Sequence, residues 1–143
     1  MRYIVATDGS EPSLKAARFL VEQSCPGPED DIFVIYVFPL PSDPECYEGV
    51  VSLPTQATDE RIVEVARPIL AKTLEVLAEL ESQVNEVVLV GNPAKEIVEF
   101  ATNLSVNLIV TGTRGRSPAR ELYLGSVSSA LTHRAPCSVL IVR

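Results

Sequence analysis

Tryptophan is absent from this chain of 143 residues, histidine occurs once, and Lys and Arg together are outnumbered by Asp and Glu, 12 to 19. Each shortage removes a class of function. A formal charge of −7 and a pI near 4.7 argue against nucleic acid or an anionic membrane as partner, because both reward clustered basic residues. A lone His133 gives no Ser-His-Asp arrangement and no metal-ligand cluster, and so no directly protein-ligated metal is expected. Its place near the end of a helical pattern suits the negative end of a helix dipole. The three cysteines, Cys25, Cys46 and Cys137, lie far apart with no C-x-x-C pair, which speaks against a zinc or redox motif and for idle thiols in a reducing compartment. The opening apolar run is too short for a signal peptide, and no stretch approaches the ~20 apolar residues of a membrane span. These readings predict a soluble cytoplasmic protein, one domain over residues 1–143 with its own core.

Glycine is scarce as well, at 7 positions, yet Gly112, Gly115 and Gly125 fall in one run that continues into Ser126. That run follows the apolar stretch Leu108, Ile109, Val110 directly. A glycine-rich turn between a buried strand and a helix start is where backbone N–H groups can hold a phosphate chain. Gly112 and Gly115 would let the backbone approach oxygen atoms with no Cβ in the way, Gly125-Ser126 would offer the positive end of a helix, and the Ser126 and Ser128 hydroxyls would add donors. Ordinary turn glycines and a plain cap are the competing explanation. Arg114, Arg116 and Arg120 stand in the same run against a single acid, Glu121, a local reversal of charge that suits a polyphosphate and would equally suit a solvated loop.

The rest of the chain supplies the surroundings. Five apolar, β-branched runs at residues 3–7, 32–38, 84–90, 106–111 and 138–142 read as strands buried on both faces. Helical patterns lie between them. The first starts at Ser10 as N-cap with Pro12 in the opening turn, buries Leu14, Ala17, Leu20 and Val21, and stops at Cys25-Pro26-Gly27-Pro28. The second spans residues 58–82 with Ile62, Val65, Ile69, Thr73, Leu77 and Leu80 at helical spacing, kinked or divided at Pro68. The third opens at Asn92-Pro93 and buries Ala94, Ile97, Val98 and Ala101. The fourth follows Gly125-Ser126, turns Val127, Ala130 and Leu131 inward, and ends before Pro136. Residues 38–58, with four prolines, read as a long surface loop.

Alternating strands and helices predict a doubly wound α/β sheet with right-handed crossovers, whose ligands bind at the carboxyl ends of the strands where the winding reverses. That rule selects Asp8, Gly9 and Ser10 after the first strand and residues 112–115 after the fourth. Asp8 would accept from ribose hydroxyls or reach a phosphate-bound Mg²⁺ through water, or merely cap the first helix. Neither G-x-G-x-x-G nor G-x-x-x-x-G-K-[ST] occurs, which weighs against a dinucleotide cofactor and excludes a P-loop NTPase.

The motifs Ala6-Thr7-Asp8-Gly9-Ser10, Gly91-Asn92-Pro93-Ala94, Leu108 through Gly115, Gly125-Ser126-Val127-Ser128 and Ala135-Pro136-Cys137-Ser138-Val139 together resemble the universal stress protein family in its ATP-binding branch, over essentially the whole chain. Asn107 departs from the Asp usual there and bears on how the strand begins. The resemblance implies a sheet order of 3-2-1-4-5 and a homodimer through the last strand, an apolar edge that otherwise leaves backbone groups unpaired. It implies ATP, or ADP or AMP, with Mg²⁺: adenine and ribose near Ala6, Thr7, Asp8 and the backbone of Val37. The phosphates would lie among Thr111, Gly112, Arg114, Gly115 and Arg116, and against Gly125, Ser126, Val127 and Ser128. A stress or energy-status regulator is the expected function; a slow ATPase or phosphotransfer enzyme, and a nucleotide-independent dimerisation module, are the alternatives.

Overall fold

A computed structural model describes residues 1–40, 59–115 and 124–143. Five strands, β1 (Arg2–Ala6), β2 (Asp31–Phe38), β3 (Gln83–Val90), β4 (Leu108–Gly112) and β5 (Ser138–Val142), form one sheet in the order β3-β2-β1-β4-β5. Every pairing is parallel, with Ile4 aligned between Phe33 and Ile109, and Ile109 aligned in turn with Val139. The predicted α/β class and the 3-2-1-4-5 order are both present.

Alternation along the strands sends side chains to two separate cores. On one face Tyr3, Val5, Ile32, Val34, Phe38 and Val110 pack with Ala16, Ala17 and Leu20 of the first helical segment and with Ala66, Ile69, Leu70 and Leu77 of the second. On the other, Ile4, Ala6, Ile35, Val37 and Ile109 meet Ile97 and Ala101 of the third helix and Leu131 of the fourth. Leu20 and Leu131 have no exposed surface, and each contributes about 2 kcal/mol by burial.

The helices are α1 (Glu11–Phe19), α2 (Asp59–Leu77), α3 (Pro93–Asn103) and α4 (Ser126–Arg134). α1 continues into a wider π turn over Leu20–Ser24, closed by Cys25 in the left-handed conformation, with its N–H bonded to the Leu20 carbonyl. α2 runs through Pro68 as one helix, so of the two expectations, a kink or a division, the division does not occur, and the helix ends at Leu77 instead of residue 82. Pro68 is exposed, as is Glu64 one turn back, so water can take the carbonyl bond that the missing N–H leaves unmade. Asn92 caps α3 by accepting the Lys95 N–H at 3.1 Å. Ser10 occupies the N-cap of α1, but its side chain caps nothing there.

Burial on both faces holds for β1 and most of β2 and β4, and fails at the sheet edges. β3 alternates between half-buried and exposed residues, Val88 and Val90 being more than a third exposed, and β5 is half-buried after the exposed Ser138. An edge strand has a neighbour on one side only, so its outer margin stays uncovered whatever its side chains. β4 begins two residues later than its apolar run, with Val106 buried in the preceding turn. Asn107 sets that start: its Oδ1 accepts the Arg2 N–H at 2.7 Å and its own N–H donates to the Arg2 carbonyl at 2.9 Å. Most of the proposed loop at residues 38–58, with Cys46, lies outside the described residues. Among those described, no helix is long and apolar enough to cross a membrane.

Candidate functional site

β1 and β4 are neighbours, from Tyr3 opposite Leu108 to Ala6 opposite Thr111, and helices leave their carboxyl ends toward opposite faces. The two sequence motifs therefore meet at the point where the winding reverses.

Asp8 follows β1 and folds its turn on itself. Its Oδ1 accepts the Ser10 N–H at 3.0 Å and the Ser10 hydroxyl at 2.5 Å. Asp8 is half-buried, and its other oxygen, Oδ2, faces the end of the β4 loop: a Cβ placed on Gly115 would sit 2.5 Å from it. The carboxylate and the glycine loop thus touch directly. Glu11, the acid of the first turn of α1, points elsewhere; a 2.7 Å bond from Arg18 holds its carboxyl below the usual range.

The glycines divide by what they approach. Gly112 is buried, and a Cβ on it would lie 2.6 Å from both the carbonyl carbon and oxygen of Pro12, so this glycine lets β4 pass under the first turn of α1. Gly115 is exposed and yields space to Asp8. Gly125 stands over the loop, a Cβ there falling 3.2 Å from the Arg114 Cα and the Thr113 oxygen, and its N–H donates to that Thr113 carbonyl at 2.6 Å.

Ser128 is buried, and its hydroxyl lies 2.9 Å from the Thr113 carbonyl and 3.0 Å from that of Gly125. Its one proton is spent fastening α4 to the loop, a role the sequence did not indicate. Ser126 is exposed, and its hydroxyl has no protein partner among the described residues. α4 begins without a side-chain cap, and the first helical N–H to find an acceptor is that of Ser129, on the Gly125 carbonyl. Among the described residues the N–H groups of Ser126, Val127 and Ser128 have no acceptor and are left as donors at the positive end of the helix.

Val37 reaches the site through its backbone. The Ile35 carbonyl accepts from Thr7 on the β1 side of β2, and the Phe38 carbonyl accepts from Gly91 on the β3 side. Alternation puts the Val37 N–H and C=O on the β1 side, past the last β1 pair at Ala6 and Ile35. Ala6 and Thr111 are buried at the strand ends, Ala6 within the core. Thr7 is also buried and bonds to Ser13 and Thr73, two hydroxyls the sequence reading left out of the site, although a threonine in the apolar stripe of α2 was itself a signal. Arg114 is exposed beside a cleft of about 340 Å³ that it lines with Pro12, Lys15, Thr113 and Arg143. A larger cleft, about 520 Å³, lies on α2 among Glu60, Val63, Glu64 and Arg67, on a different element from these motifs. Arg116, Arg120 and Glu121 fall outside the described residues. Among those described, no group of three or more His, Cys, Asp or Glu side chains is placed to hold a metal ion.

The chain is an α/β protein with a doubly wound parallel sheet, and a glycine loop and an uncapped helix start lie at its switch point. The sequence profile of the universal stress protein family matches residues 1–143, and the chain belongs to that family. It is 34% identical to the universal stress protein YxiE of Bacillus subtilis, over 99% of this chain and 98% of that one. Its fold is similar to that of the Archaeoglobus fulgidus universal stress protein solved in complex with dAMP, at a TM-score of 0.68 and 21% identity over 100% of this chain and 98% of that one. It is also similar to an Arabidopsis thaliana family member solved with AMP bound, at 0.65 and 14% over 99% and 90%.

Proposed function

We propose that this protein binds an adenosine phosphate, ATP with Mg²⁺ in the first instance, and works as a nucleotide-dependent regulator in a stress or energy-status response. The observation that carries the reading is the open start of α4, where three N–H groups and the Ser126 hydroxyl stand without acceptors among the described residues, near the exposed Gly115. An anion there adds stabilisation of about 0.3–1 kcal/mol from the helix dipole alone, before any hydrogen bond. Lys15, Arg114 and Arg143 gather positive charge near the end of β4 in a chain of net charge −7.

The available groups fit an adenine nucleotide. The backbone of Val37 offers a donor and an acceptor to an adenine edge, Asp8 an acceptor to ribose hydroxyls, and the residues 112–115 and 125–128 a cradle for phosphates. Bound Mg²⁺ would neutralise phosphate charge, with Asp8 reaching it through water. The family relatives solved with dAMP and AMP support the ligand class. The groups gathered here bind and orient; they support sensing of the nucleotide over its consumption.

With no Trp and four Tyr in the chain, the absorption spectrum of freshly purified protein is a sensitive test. A maximum displaced toward 260 nm, lost on acid extraction and recovered as nucleotide in the extract, is the expected result, because one bound adenine absorbs more strongly than the four tyrosines together. A plain tyrosine spectrum together with no binding on titration removes the proposal.

The same reading places the protein in the cytoplasm, in keeping with the unpaired thiols Cys25 and Cys137. It makes the protein a homodimer through β5, whose outer margin has no strand beside it among the described residues. Sedimentation equilibrium is expected to give twice the chain mass of 15.5 kDa. A single-chain mass at micromolar concentration would refute the dimer.

A further inference from the structure

A chain of buried hydroxyls connects the Asp8 turn to α2. Thr7 Oγ1 lies 3.1 Å from Ser13 Oγ and 2.8 Å from Thr73 Oγ1, and accepts the Gly9 N–H at 3.1 Å. Ser13 Oγ donates to the Ser10 carbonyl at 2.8 Å. Thr73 has no exposed surface, and Thr7 and Ser13 are almost as deeply buried.

Each hydroxyl has one proton and two lone pairs, and that limit fixes the direction of the chain. Ser13 spends its proton on Ser10, so it must accept from Thr7. Thr7 then has no proton left for Thr73, so Thr73 donates to Thr7. The reverse assignment would send the Thr73 proton to the Ile69 carbonyl at 3.4 Å and forfeit the 2.8 Å bond to Ser10. In the preferred order Thr7 donates once and accepts twice, which saturates it, and every buried hydroxyl is satisfied. The relay runs from Thr73 through Thr7 and Ser13 to the Ser10 carbonyl, and the Gly9 N–H joins at its centre. Ile69 supports the same turn from below, 3.4 Å from where a Gly9 Cβ would be.

We infer that Thr73, with Ser13, is a positioning residue of the nucleotide site, the point at which α2 sets the geometry of the Asp8-Gly9-Ser10 turn. The inference rests on the proposed nucleotide binding for its functional half and on the hydroxyl chain alone for its structural half. α2 touches neither the glycine loop nor α4 through this chain; it acts on the ligand by way of the turn. A displacement of α2 would therefore alter affinity.

The test compares wild type with Thr73→Val, which keeps the shape and removes the donor, Thr73→Ser, which restores it, and Ser13→Ala, which removes the far end of the relay. Ser82→Ala is the control, since it deletes another buried hydroxyl bond, 2.8 Å to the Gly27 carbonyl, at the opposite end of the sheet. Two quantities are read: hydrogen exchange of the Gly9 amide without nucleotide, and the dissociation constant for Mg·ATP. In Thr73→Val and Ser13→Ala the Gly9 amide is expected to exchange about 3-fold faster or more, and Mg·ATP to bind about 3- to 10-fold more weakly, the worth of one buried hydrogen bond. Thr73→Ser and Ser82→Ala are expected to stay within about 2-fold of wild type in both. Unchanged Gly9 exchange in both Thr73→Val and Ser13→Ala overturns the inference whatever the affinity does, as does an equal response in Ser82→Ala. If wild type binds no Mg·ATP while Gly9 responds as expected, the nucleotide reading fails and the tether of the turn to α2 stands.

Discussion

Gly112→Ala is expected to lower the melting temperature by about 10 °C, from a loss of about 3 kcal/mol. The new methyl would meet the Pro12 backbone at 2.6 Å on two atoms and the Pro12 Cβ at 2.9 Å. Backbone cannot swing aside as a side-chain tip can. Relief requires either β4 or the first turn of α1 to shift, and both are bound to the rest of the fold, β4 by pairing to β1 and β5 and α1 by Ala16 and Ala17 in the core. Differential scanning calorimetry decides the matter; a change under about 2 °C would mean that this approach does not constrain the folded protein.

Gly115→Ala is expected to behave in the opposite way, with at least a tenfold loss of Mg·ATP affinity and little loss of stability. Gly115 is exposed, and the atom its methyl would meet is a side-chain oxygen, Asp8 Oδ2 at 2.5 Å. A shift of the Asp8 carboxylate to make room would strain its bonds to the Ser10 N–H and hydroxyl and disturb the turn while the core is untouched. A hydrogen bond to a charged group is worth about 1.5–3 kcal/mol, which corresponds to roughly a tenfold to hundredfold change in binding. The measurement is calorimetric titration of the variant beside wild type, with melting temperatures recorded on the same samples. Equal affinities would separate Asp8 from the ligand. Two glycines three residues apart would thus serve the fold and the proposed site respectively.

That division was not legible in the sequence. Spacing marks a glycine as a place where a Cβ is unwelcome, and says nothing of which atoms exclude it; Pro12 and Asp8 are supplied by other elements. The sheet itself was legible because continuous β-branched runs and the glycine and proline breaks between them are local signals. Edge position is not local, and Val88 and Val90 look like core residues until β3 proves to have a neighbour on one side only. Pro68 misleads for a related reason, since the cost of a proline in a helix depends on its surroundings, and here water can reach the carbonyl left without its N–H. The protein partners of the Ser128 and Thr73 hydroxyls were equally hidden. A hydroxyl at a buried helical position implies a partner, and the partners here, the Thr113 carbonyl and Thr7, come from distant parts of the chain.

The central claim is that the switch point of this sheet holds an adenosine phosphate. Calorimetric titration of nucleotide-free wild-type protein with ATP in the presence of Mg²⁺ tests it most directly. The expected result is saturable binding of one nucleotide per chain, weakened at least tenfold by Gly115→Ala, as a lost charged hydrogen bond requires. A titration with no saturable heat at any temperature tried, and no rise in melting temperature at millimolar ATP, would contradict it, because a ligand that binds the native state must stabilise it.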